Sequence, residues 1–131
     1  MTMILGGTNP AVTFPDGTIQ NTAATSVNTN TIAKAWANFS GNTSSPLTVN
    51  ASYNITSITR TALGLYTVNF TNSVTGTYAI AISGASALGA STTGIWCIVT
   101  NQNSNGFSMQ CLGGNGANFD ITTGNFAVFG S

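Results

Sequence analysis

Proton transfer, metal ligation and nucleophile activation draw on His, Asp, Glu, Lys and Cys. This chain offers few of them: the acids Asp16 and Asp120, the bases Lys34 and Arg60, the thiols Cys97 and Cys111, and no histidine in 131 residues. Without histidine neither a Ser-His-Asp triad nor a Cys-His pair can be assembled. A glycosidase pair would need Asp16 and Asp120 about 5–10 Å apart. They lie in unlike segments near opposite chain ends, and Asp16, between Pro15 and Gly17, suits a turn. Asp120 with Asn115 and Asn118 would make only a weak calcium site, having one carboxylate; stabilising a turn is the simpler role. Gly113-Gly114-Asn115-Gly116 lacks the strand and following helix of a phosphate loop and reads as a turn. The inventory therefore predicts no enzyme, no metal and no cofactor.

Cys97 and Cys111 occupy two strand-like runs that flank a turn. If the register is even, they point to one side as cross-strand neighbours. Two thiols cannot fill a zinc site. They are expected to serve as small buried hydrophobes; a disulfide is the other outcome, open only outside a reducing cytosol.

The elements that must position these residues follow from composition. Charged residues are 3% of the chain, against about 25% in an ordinary soluble domain. A net charge of zero gives little colloidal repulsion, so the chain is expected to live as part of an assembly. No basic patch exists to neutralise phosphates, so no nucleic-acid partner is expected. The most apolar stretch, 78–88, is broken by Ser83, Gly84 and Ser86 and is too short to span a membrane as a helix. The first residues lack the basic and apolar segments of a signal peptide.

Hydrophobic content is 42%, enough for a core, and the polar remainder is mostly Thr, Ser, Asn and Gly. Thr favours strands, while Asn and Gly favour turns. The expected class is all-β: an antiparallel β-sandwich or jelly-roll-like domain over 34–131, with an extended N-terminal arm over 1–33. In the arm, the Pro15-Asp16-Gly17 turn between two short apolar runs predicts a small hairpin, followed by a Thr/Asn-rich linker.

In the body, Tyr66, Val68 and Phe70 alternate with Thr67, Asn69 and Thr71, the period of a half-buried strand. Tyr78, Ile80 and Ile82 repeat it. Short strands are expected at 47–49 and 53–55. A hairpin is expected over 95–112, with Asn105-Gly106 supplying positive φ, and a last hairpin over 119–129. Trp36, Tyr53, Tyr66, Phe70, Tyr78 and Trp96 could stack sugars, but on alternating strands they are expected in the core. Trp36 differs, sharing a polar face with Lys34 and Asn38; a Trp so placed marks a subunit contact.

Two sets of segments carry a resemblance. The run from Val12 to Ala23, with Thr13-Phe14-Pro15-Asp16-Gly17-Thr18, Gln20 and Thr22-Ala23, resembles a segment that recurs in tail-fibre and other virion proteins of tailed bacteriophages. Ala33 to Phe39, with Ser52 to Thr59 and Gly64 to Thr71, is similar to a β-rich domain of phage tail-fibre-like proteins. The resemblance implies a structural virion protein, usually homotrimeric, assembled in the host cytoplasm, and brings no catalytic residues.

With no shaft or coiled coil in its length, the chain is expected to be a cement or decoration protein on the capsid. Its partners would be the major capsid protein or other virion proteins. Val12, Phe14 and Ile19 would add a strand to a partner sheet edge. The other reading is a short tail fibre or tip that binds a host receptor through loops 84–94 and 102–105.

Overall fold

The computed structural model describes residues 12–13, 15–17, 19–20, 32–42, 45–86 and 94–130. Every regular element among them is a strand. β1 (Val12–Thr13) pairs antiparallel with β2 (Ile19–Gln20). The turn between them contains Gly17 at φ +84°, a conformation that glycine adopts without a Cβ clash. This is the small hairpin that the Pro-Asp-Gly signal predicts.

Eight further strands form two four-stranded antiparallel sheets. They are β3 (Ala33–Ser40), β4 (Val49–Tyr53), β5 (Ile55–Ala62), β6 (Leu65–Phe70), β7 (Tyr78–Ala85), β8 (Trp96–Asn103), β9 (Gly106–Leu112) and β10 (Thr123–Gly130). One sheet has the order β4-β3-β10-β7, the other β5-β6-β9-β8. The first and last of these eight strands, β3 and β10, lie side by side in the centre of one sheet, with Phe129 opposite Ala33.

Alternation decides which face each strand buries. Ala35, Ala37 and Phe39 of β3, Phe126 and Val128 of β10 and Tyr78 of β7 point inward from one sheet. Ile58, Tyr66, Val68, Phe70, Phe107, Met109 and Cys111 meet them from the other. Five ring contacts link six aromatics across this core, in the order Tyr66, Phe39, Phe126, Phe107, Phe70, Tyr78, with centroid separations of 5.0 to 6.4 Å. Edge-on and tilted pairs at such spacing add about 0.5–1.5 kcal/mol each beyond their burial. Of the six aromatics weighed for sugar stacking, Tyr66, Phe70 and Tyr78 are thus core residues. Trp36, Tyr53 and Trp96 are exposed.

Both ends of the aromatic chain finish in a hydroxyl that meets main chain. The Tyr78 hydroxyl lies 2.8 Å from the carbonyl oxygens of both Asn103 and Gly106. The Tyr66 hydroxyl lies 3.1 Å from the Gly41 carbonyl and accepts from the Ile121 N–H at 3.1 Å. Each buried phenol is therefore satisfied.

Several strands depart from expectation. The segments 47–49 and 53–55 are not two short strands. β4 and β5 are longer and meet at Asn54, which turns the chain from one sheet to the other at φ +59°. The last hairpin does not form. Residues 119–121 lie outside the strands, and β10 is one continuous strand paired with both β3 and β7. A central position between two strands buries Phe126 and Val128 more completely than a terminal hairpin would.

The 96–112 hairpin is present, but its turn is Ser104–Asn105, and Gly106 opens β9. Of the expected pair, Gly106 carries positive φ, at +158°, and Asn105 does not; a Cβ at Gly106 would also collide with the Val68 carbonyl oxygen. Cys97 stands directly opposite Cys111 in the register, and the two form a disulfide. The expectation of two separate buried hydrophobes is corrected. The even register brought the sulfurs to one side, and a direct cross-strand pair lies within bridging reach.

Candidate functional site

Three places gather the side chains that the sequence singles out. The first is the outer face of the β4-β3-β10-β7 sheet. Trp36 on β3 stands opposite Tyr53 on β4 and Ala127 on β10; Ala127 in turn faces Ala81 on β7. Trp36 is 39% exposed and Tyr53 57%. Beside this row runs a ladder of amides. The Asn50 side chain donates to Asn38 at 2.7 Å, and Asn38 donates to Asn125 at 2.6 Å. Phe129, also exposed, lies beyond Ala127 opposite Ala79. The four strands of this sheet carry a single charged residue, Lys34.

The second place is a cleft of about 350 Å³ at the end of the sheets where β3 begins. Ile32, Tyr53 and Val74 form its apolar wall; Lys34, Asn72 and Thr75 bring polar groups. Asn54 fastens the floor. Its amide nitrogen donates to the carbonyls of Lys34 and Asn72, both at 3.0 Å, and its amide oxygen accepts from the Asn72 N–H at 2.7 Å. The Thr71 N–H bonds the Asn54 carbonyl at 3.2 Å. Two other chain segments, at Lys34 and at Thr71–Asn72, are thus tied to one residue in the left-handed region. Asn tolerates that region because its short amide can bond the local backbone.

The third place lies at the opposite end of the strands. Arg60 donates to Asp120 through two nitrogens, at 2.9 and 2.8 Å, in a bidentate fork. The Gly64 N–H donates to the same carboxylate at 2.8 Å, and the Tyr66 hydroxyl lies 3.2 Å from it. The Arg60 hydrogen bonds hold the Asp120 carboxyl below its ordinary value, with the Gly64 bond assisting against partial burial. Bonding to Asp120 raises Arg60 in turn. Burial pushes the Tyr66 phenol up to about 12, so it stays a neutral donor. The two charged groups of this cluster pair with each other. The cluster fastens the β5–β6 turn to the chain leading into β10.

The residues predicted for other sites are placed as follows. Val12 and Ile19 lie on β1 and β2, and Phe14 lies outside the described residues. Trp36 lies on the outer face of its sheet. Asp16 sits in the β1–β2 turn and Asp120 in the Arg60 cluster. Asn115 accepts from the Ala117 N–H at 3.1 Å and Asn118 from the Gln110 side chain at 2.6 Å. Both are engaged apart from Asp120. The 113–116 segment is a turn closed by a Gly116 N–H bond to the Gly113 carbonyl at 2.8 Å. Of the two recognition loops, residues 87–93 lie outside the described residues. Residues 102–105 form the end of β8 and its turn.

Sequence reasoning did not pair Trp36 with Tyr53, because a bulge at Asn50 of β4 sets that register. It did not join Arg60 to Asp120, 60 positions away. No family model matches the chain, and no curated protein or solved structure matches it.

Proposed function

We propose that the chain is a non-enzymatic structural protein of a tailed-bacteriophage virion, acting as a cement or decoration protein on the capsid. The observation that carries this reading is the outer face of the β3 sheet, where Trp36, Ala127, Ala81 and Phe129 are presented with one charge on four strands. Such a face loses little on dehydration and suits a surface that is covered after assembly. Its size sets a limit. Four strands about 4.8 Å apart and eight residues about 3.3 Å long give a face of roughly 500 Å². A stable complex takes roughly 800 Å² per partner. The segment before β3 must supply the difference, which is the role given to the arm over 1–33, with Val12, Phe14 and Ile19 adding a strand to a neighbour. The body over 34–131, read as a sandwich or jelly-roll-like unit, would close as a homotrimer on the major capsid protein or another virion protein.

Gold labelling of intact particles tests the location. Label over the head supports decoration, and particles without label overturn a virion role. Association through apolar area and main-chain bonds depends little on salt. Release from particles should therefore be equal at low and high salt, and strong salt sensitivity would overturn the assigned contact.

The second reading, a short tail fibre or tip that binds a host receptor, is favoured by one observation. The Tyr53 cleft is an open concavity whose aromatic wall is exposed, the form of a ligand site rather than of a packed interface. Label confined to the tail would select it.

A further inference from the structure

We infer that the Tyr53 cleft is a binding site for an acidic sugar residue, its ring lying against Tyr53 and its carboxylate paired with Lys34.

Four features converge on that chemistry. The cleft, about 350 Å³, is at the small end of the roughly 300–1,000 Å³ of ligand sites, a size for one substituted six-membered ring. Tyr53 is the most exposed large hydrophobic residue described, at 57%. It lines the cleft, and an aromatic face is the natural platform for the apolar face of a sugar.

The charge is of one sign. Lys34 lines the cleft with no acidic residue beside it, and it forms no ion pair among the described residues. Arg60, by contrast, is held by Asp120 at the other end of the strands. A lone ammonium in a partly enclosed wall favours an anionic group over a neutral one. The Asn72 amide and the Thr75 hydroxyl offer a donor and acceptors for ring hydroxyls. Ser73 is committed to the Asn105 side chain at 2.8 Å.

The fourth feature is rigidity. Asn54 is the one non-glycine residue at positive φ among those described, and its side chain makes three bonds to the cleft's walls. It fixes Lys34, Tyr53 and Asn72 relative to one another before a ligand arrives, which lowers the ordering cost of binding. The inference rests on the cleft alone. Particle labelling and sugar binding therefore fail or succeed separately.

The test is an NMR titration of the full isotope-labelled chain with methyl glucuronide, using methyl glucoside as the neutral control. Glucuronide should shift resonances confined to Lys34, Tyr53, Asn54 and Asn72 to Thr75. The loss of one charge-assisted pair should make glucoside about tenfold weaker. Lys34→Gln should bring glucuronide down to the glucoside level, and Tyr53→Ala should abolish both. Both residues are outside the core, so unchanged amide spectra elsewhere would show that the variants fold. Four results would overturn the inference: no shifts up to about 50 mM sugar, equal response to the two sugars, shifts scattered over both sheets, or binding that survives Tyr53→Ala.

Discussion

Reduction of the Cys97–Cys111 bridge should destabilise the protein while leaving its fold intact. The cysteines are 14 positions apart, and opening a closed loop of that length frees the unfolded chain by about 3 kcal/mol. The enclosed segment is a β8–β9 hairpin with a two-residue turn, so residual hairpin in the unfolded chain makes that figure an upper bound. Nothing offsets it on the folded side. Cys111 is buried and Cys97 half-buried, so reduction leaves no cavity, but the two sulfurs must part to about 3.5 Å or more, which crowds the hairpin rather than relieving it. In a domain of this size each kcal/mol moves the melting temperature by about 3–5 °C, and the fall should be about 10 °C. The assay is calorimetry of oxidised and reductant-treated protein, with thiol titration to verify each state. A Cys97→Ala, Cys111→Ala double variant should melt near the reduced protein and ignore reductant. Reduced protein with two titratable thiols that melts within about 2 °C of the oxidised form would refute the reasoning.

The Arg60–Asp120–Tyr66 cluster makes stability depend on pH at both extremes. Asp120 is held below its ordinary value. Its support is present above the unfolded value of about 4 and is lost as the pH falls through the folded one. Urea midpoints should drop between pH 6 and pH 3, and Asp120→Asn should show the lower midpoint already at pH 6 with a flatter profile. Tyr66, raised to about 12, gives support that is full below about 10 and lost as the pH rises through the folded value. Tyr66→Phe should remove that alkaline step. Tyr78→Phe, which leaves the Asn103 and Gly106 carbonyls without their donor, should cost about 1–3 kcal/mol in a denaturant titration. Gly106→Ala should cost more than about 2 kcal/mol, because β6 must shift away from β9 to admit the methyl group; a near-neutral result would mean that the Val68 main chain yields freely.

Much of the fold was legible because one period repeats. Tyr66, Val68 and Phe70 alternate with Thr and Asn, and both the hairpin around Ser104–Asn105 and the turn at Gly17 carry their signals locally. What was not legible depends on partners distant in sequence. Nothing near Arg60 announces Asp120, and nothing near Trp36 announces Tyr53, since a bulge at Asn50 of β4 fixes that pairing. The 119–129 stretch contains turn residues that suggest a hairpin; the two flanking strands, β3 and β7, instead draw residues from 123 onward into a single central strand. Asn54 looked like one polar residue in a short strand. Its positive φ appears only when two sheets must be joined at a corner, a demand of the whole fold and not of the segment.

The neighbouring placement of β3 and β10 has a mechanical consequence. Ala33 opens one strand and Phe129 stands opposite it near the close of the other, so tension applied through the two chain ends acts on adjacent points at one edge of the ladder. Antiparallel bonds loaded that way part in succession, like a zipper, instead of resisting together in shear. A body held by its N-terminal segment and tugged from its C-terminal end would yield at low force. Pulled instead by its outer sheet face, it would load both neighbours of β10 at once and hold far better.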